Sequence, residues 1–165
     1  MKIINAKLFE EEIKNKFWEI WYDEKFQYYF GGNYRRDFKI IDSENGINRD
    51  FAIIGDKGDV IGYIGYTFDT ELKIAKWFGA INFSNQKVQF GMALKQVIYD
   101  CFNKFGADLV SFEVIVGNPV ECEYDRLCEK VGGRVVGIKS NRAVNMKGEK
   151  CNVKEYEIKR EDFLK

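Results

Sequence analysis

Apolar residues recur at Phe9, Ile13, Phe17, Ile20 and Trp21, the spacing of one helix face. Glu10 to Glu12 lie at the end where the helix dipole favours acids. This predicts an amphipathic helix over 8–22. The segment DEKFQYYFGG, 23–32, reads as a second short helix stopped by Gly31 and Gly32, its aromatics Phe26, Tyr28, Tyr29 and Phe30 serving as core or pocket wall. DSENGINRD, 42–50, reads as a polar loop. The period then shortens to that of strands: 51–55, 60–68 and 73–83, joined by turns at GDKGD and DTEL, predict three antiparallel strands in a row.

Helical spacing returns over 89–105, where Leu94, Val97, Ile98, Cys101, Phe102 and Phe105 share a face. Residues 108–116 read as a strand with Val110, Phe112, Val114 and Val116 on one side. A helix follows in NPVECEYDRLCEKVGG. Asn118 suits the N-cap, Pro119 the first helical position, Glu121 completes a capping box, and Gly132 and Gly133 end the helix. Val120, Tyr124, Leu127, Cys128 and Val131 form its inner face. Strands at 134–146 and 152–159 flank a loop at Lys147 and Gly148. This order predicts one domain over 1–165, of α/β or α+β class. It has a mostly antiparallel mixed sheet, helices on both faces and a right-handed parallel crossover across 73–116.

Composition narrows the chemistry. The 165 residues suit one core, and 45% hydrophobic content argues against disorder. Lysine plus arginine number 26, as do aspartate plus glutamate, so no general pull toward nucleic acid or a membrane surface is expected. The locally basic stretch Lys139 to Lys150 reads as a solvated hairpin. No apolar run approaches the ~20 residues of a membrane helix, and the first residues are too acidic for a signal peptide. The four cysteines include no C-x-x-C pair and read as reduced packing residues of a cytoplasmic protein. Histidine is absent, which excludes Ser-His and Cys-His nucleophile pairs and His-based zinc sites. No metal is expected.

The helix at 89–105 opens without a strong capping side chain nearby, and Gly91 lies in its first turn. Its orphan amides can be satisfied by an anion, with Gly91 allowing close approach to the backbone; alternatively, Gly91 lets the helix pack closely on the sheet. Gly91 with Ala93, set in this order of elements, resembles the GNAT superfamily of acyl-CoA N-acyltransferases over roughly 50–160. The family motif, Arg/Gln-x-x-Gly-x-Gly/Ala, aligns with Val88-Gln89-Phe90-Gly91-Met92-Ala93 and departs from it at Val88. The resemblance implies that these residues hold the pyrophosphate of coenzyme A. It further implies that Ile81, Asn82 and Phe83 bind the pantetheine arm, and that two parallel strands splay apart around acetyl-CoA. Asn118 matches the family's asparagine. Cys128 stands where a tyrosine acid is usual, and Tyr124 lies one helical turn earlier.

The expected activity is therefore direct transfer of acetyl from acetyl-CoA to a primary amine, small-molecule or peptide, of unstated identity. Tyr124 or Cys128 would serve as acid, and Glu113 faces either the splay, as a further catalytic candidate, or solvent. The alternative is a non-catalytic module of the same fold that binds CoA or a protein partner, as a monomer or a homodimer.

Overall fold

The computed structural model describes residues 1–20, 23, 28, 40 and 46–163. Its seven strands are β1 (Lys2–Asn5), β2 (Asn48–Ile54), β3 (Val60–Asp69), β4 (Ile74–Asn82), β5 (Leu109–Ile115), β6 (Arg134–Val144) and β7 (Lys150–Lys159). They form one sheet in the order β1-β2-β3-β4-β5-β7-β6. Each neighbouring pair is antiparallel except β4 and β5, which run parallel. The helices are α1 (Glu10–Glu19), α2 (Lys87–Asn103), α3 (Glu121–Val131) and the short α4 (Arg160–Phe163). The mixed class, the three-strand run and the parallel crossover match the sequence expectation.

The two faces of the sheet carry separate cores. On one, α2 and α3 cover Ile64, Val110, Phe112, Tyr156 and Ile158 with Val97, Cys101, Phe102 and Cys128. On the other, Ile13, Phe17 and Ile20 of α1 and its C-terminal end pack on Ala52, Tyr63 and Ile81. Strand alternation assigns the faces: β3 places Tyr63 under α1 and Ile64 under α2.

Several boundaries differ from the expectation, each for a local reason. The helix expected over 8–22 starts at Glu10, because Asn5 Oδ1 accepts from Lys7 N–H and opens a 3-10 turn at Ala6–Phe9. Strand β1 before it carries too short a pattern to be recognised. The polar loop expected at 42–50 ends early: Asn48, Arg49 and Asp50 belong to β2, opposite Thr67, Tyr66 and Gly65. Their polar side chains have partners in the fold, Asn48 with Thr67, Arg49 over the Phe105 ring and Asp50 with Tyr63.

The capping box at α3 is also corrected. Asn118 Oδ1 does accept from Val120 N–H, but this closes a turn just before the helix, and the Glu121 carboxylate reaches back to Gly117 N–H. Gly132 ends α3 in the left-handed conformation, as expected. Trp21, the second short helix and the aromatics Phe26, Tyr29 and Phe30 lie outside the described residues. Tyr28 packs against the small cluster of Ile115, Ala143 and Val153.

Phe102 is buried at 1% exposure between α2 and the sheet. Phe102→Ala should therefore cost about 3–5 kcal/mol, from lost transfer energy plus the cavity left behind. Urea denaturation should show this as a lowered midpoint with an unchanged slope.

Candidate functional site

Strands β4 and β5 pair only at Ile74 with Leu109 and Ala75 with Val110. Beyond those two pairs they diverge, and the reason lies in β4. Gly65 stands opposite Gly79 and Thr67 opposite Lys76, so Trp77 and Phe78 together face the single residue Tyr66. This is a β-bulge. It forces Trp77 to φ 58°, a left-handed conformation that costs a non-glycine residue about 1–3 kcal/mol. Phe78 stacks on Tyr66 at 5.6 Å, fixing one side of the bulge, while Trp77 is 75% exposed.

An open cavity of about 800 Å³ fills the divergence. Its lining includes Gly79, Ser111 and Glu113 from the α1 side of the sheet and Phe112, Val114 and Tyr124 from the α2–α3 side. By strand alternation the cavity passes between the strands from one face to the other. A reactant could thus approach from each side and meet in the gap.

The turn from β4 into α2 is built from short side chains. Asn82 Oδ1 accepts from Ser84 N–H at 2.9 Å and from its hydroxyl at 3.1 Å. Ser84 Oγ in turn accepts from Gln86 N–H at 3.0 Å. Lys87 N–H reaches Asn85 O at 2.9 Å, and Phe90 N–H closes the first helical bond to Gln86 O at 3.0 Å. Among the described residues, the amides of Val88 and Gln89 have no partner.

The expected cradle over Val88 to Ala93 is thereby shortened to its first two amides. The helix starts at Lys87 rather than 89, so the N–H groups of Gly91, Met92 and Ala93 are spent inside it. Gly91 contributes by what it lacks: a Cβ there would meet nothing within 4 Å. Ala93 is fully buried. A second correction concerns β4. Phe83 N–H donates to Ile61 O at 2.9 Å, so alternation turns the backbone of Ile81 toward β3 as well. Of the three residues expected to face the gap, Asn82 does. Ala80, absent from the expectation, does too.

The two candidate acids part company. Tyr124 lines the cavity, its ring 5.1 Å from Phe112, and its hydroxyl has no hydrogen bond among the described residues. Burial pushes its phenol up to about 12, so it stays protonated near neutrality. Cys128 instead faces Gly133, where a Cβ would lie 2.9 Å from its sulfur, and it does not line the cavity. Burial raises its thiol to about 11. Next to Tyr124, Asp125 Oδ1 accepts from Lys154 Nζ at 2.7 Å and from Tyr156 Oη at 2.9 Å. These bonds hold the first turns of α3 on β7.

Glu113 is half-buried on the α1 side of the cavity. Its carboxylate binds Lys139 Nζ at 2.9 Å, and Lys139 also reaches Glu155 at 3.0 Å. The bonds to Glu113 and then Glu155 raise the Lys139 ammonium above its ordinary value. The start of the basic stretch is thus neutralised within the sheet. Asn118 also lines the cavity. The described residues contain no group of three metal-ligating side chains and no helix long and apolar enough to cross a membrane.

No protein-family model matches the sequence, and no curated protein sequence is similar to it. Solved structures are similar in fold. The spermidine N-acetyltransferase of Vibrio cholerae in complex with CoA and spermine superposes with a TM-score of 0.74 at 16% identity, over 99% of this chain and 98% of that one. A chimera of that enzyme with hSSAT gives a TM-score of 0.72 at 15% identity, over 99% and 98%. The chain therefore has the GNAT acetyltransferase fold.

Glu113 and Glu155 are direct cross-strand neighbours joined by Lys139. Lys139→Met should destabilise the fold by about 0.2–1 kcal/mol, because like charges are then left opposite each other. Ions screen that repulsion, so the loss should be smaller in high salt. Thermal melts across a salt series measure it.

Proposed function

We propose that this chain is an N-acetyltransferase that carries acetyl from acetyl-CoA to a primary amine by direct attack. The observation that carries the reading is the bulged β4. It opens a gap through the sheet and ends at a helix whose Val88 and Gln89 amides have no partner among the described residues.

Those two amides, at the positive end of the helix dipole, suit the pyrophosphate of acetyl-CoA, and the open space at Gly91 lets it approach. The backbone of Ala80 and Asn82 is free to pair with the amide-bearing pantetheine arm as a strand would. The thioester carbon would then lie in the gap, with Tyr124 on the α2–α3 side. The acetyl donor supplies an activated carbonyl. Holding it beside the amine accounts for much of the rate. Tyr124, neutral and without a partner among the described residues, protonates the departing sulfur. Asn118, near the start of α3, lines the same wall.

The amine enters from the α1 side. There Glu113 and Glu155 flank Lys139, two carboxylates that could meet a polar acceptor, and the related Vibrio cholerae structure holds spermine. The four cysteines are free, as suits work in the cytoplasm.

Isothermal titration should show acetyl-CoA binding. Gly91→Glu should weaken it at least about tenfold, or 1.4 kcal/mol, by placing bulk and negative charge beside the free amides. Undiminished affinity in that variant would remove the proposed seat. Tyr124→Phe should lower kcat by about 10²- to 10⁴-fold while leaving acetyl-CoA affinity unchanged. Binding without turnover on any amine of a broad panel would instead assign the non-catalytic module.

A further inference from the structure

We infer that Asp50, positioned by Tyr63, is the general base that takes the proton of the acceptor ammonium. The inference rests on the acetyltransferase reading and supplies the group that reading lacks. β4 carries no carboxylate, and Glu113 is bound to Lys139.

Asp50, Gly65 and Gly79 stand in one row across β2, β3 and β4. Their face is the α1 side, shown by Tyr63, which packs on Phe17 with ring centroids 6.1 Å apart. A Cβ at Gly65 would lie 2.5 Å from Asp50 Oδ1 and 2.6 Å from Tyr63 Oη, so the carboxylate and the phenol sit over that glycine. At Gly79 a Cβ would meet nothing within 4 Å, and Gly79 lines the cavity. Apart from the Tyr63 phenol over Gly65, no side chain of β3 or β4 stands in this row between the Asp50 carboxylate and the gap. Asp50 does not itself line the cavity, and the open space over Gly79 leaves room for water to carry a proton between an amine in the gap and the carboxylate.

Tyr63 Oη donates to Asp50 Oδ1, which fixes the carboxylate, and Asp50 has no other hydrogen-bond partner among the described residues. Burial raises its carboxyl above the ordinary value, against the opposing hydrogen bond from Tyr63. A carboxylate so placed is a stronger base than one in water. The other charged groups around this face are engaged: Glu10 with Lys7 and Ile40 N–H, Glu12 with Val60 N–H, and Lys76 with Asp69. Across the gap stand Glu113, Glu155, their shared Lys139 and Arg142.

In the step, Asp50 removes one proton from the ammonium and passes it to water. The freed nitrogen pair attacks the thioester carbon and the C–N bond forms. The carbonyl then re-forms as the C–S bond breaks, and the sulfur takes the Tyr124 proton. The second nitrogen proton leaves as the amide forms and restores Tyr124, giving the acetylated amine and free CoA thiol.

The test is the pH profile of acetyl transfer from acetyl-CoA to a panel of primary amines headed by spermine, with thermal melts to confirm folding. Asp50→Asn should lower kcat by about 10²- to 10⁴-fold, abolish the acid limb and leave acetyl-CoA affinity intact. Asp50→Ala should regain activity with added formate. Tyr63→Phe should keep activity but move the acid limb to higher pH, because the charged carboxylate loses the bond that stabilises it. If Asp50→Asn does not fold, this second variant decides. Wild-type turnover and profile in Asp50→Asn, or an unmoved limb in Tyr63→Phe, would overturn the assignment of Asp50 alone. Silence of the unsubstituted protein on the whole panel would remove the acetyltransferase reading and this inference together.

Discussion

The site depends on a shortage of pairing between two parallel strands. β4 and β5 share two residue pairs and then part, because β4 places two residues against one of β3. Had the ladder continued, the backbone groups of Ala80 and Asn82 would be bonded to β5 and the cavity would not exist. The strain at Trp77 is confined to one residue. It is maintained by antiparallel pairing on both sides of the bulge and by the stacking of Phe78 on Tyr66. Opening a sheet ordinarily exposes unpaired donors and acceptors at a cost, which a bound strand-like ligand relieves.

The remaining architecture keeps the opening in place. Two cores pin the sheet from opposite sides, so neither wall can fold inward without losing buried apolar contact. α3 is further tied to β7 by Asp125, Lys154 and Tyr156, which fixes the face bearing Tyr124. The α1 side differs. There the walls beyond β4 are charged rather than apolar, and Glu113, Lys139 and Glu155 neutralise one another in part. The gap therefore opens on an apolar, firmly packed wall on one face and on a polar wall on the other.

Much of this was legible in the chain. The strand runs between 51 and 83, the Gly132 stop and the helix face of Val97, Cys101 and Phe102 are strong local signals, and the structure follows them. What escaped were features in which tertiary pairing overrides local preference. Asn48, Arg49 and Asp50 read as loop residues because their polarity resembles solvent exposure, yet each has a partner inside the fold. Asp50 was missed as a candidate for that reason. The helix start was placed two residues late because no cap marks it, so the expected cradle began correctly at Val88 but ran on into amides that α2 uses itself. Cys128 and Tyr124 share a helix face in the sequence, yet in the fold Cys128 packs in the core while Tyr124 lines the cavity.

Gly65 and Gly79 face each other across β3 and β4 without a side chain between them. At Gly79 the sheet presents bare main chain to the cavity, whereas at Gly65 the Asp50 and Tyr63 side chains cover it. Gly79 thus sets no shape of its own, and the outline of the opening falls to the side chains around its rim.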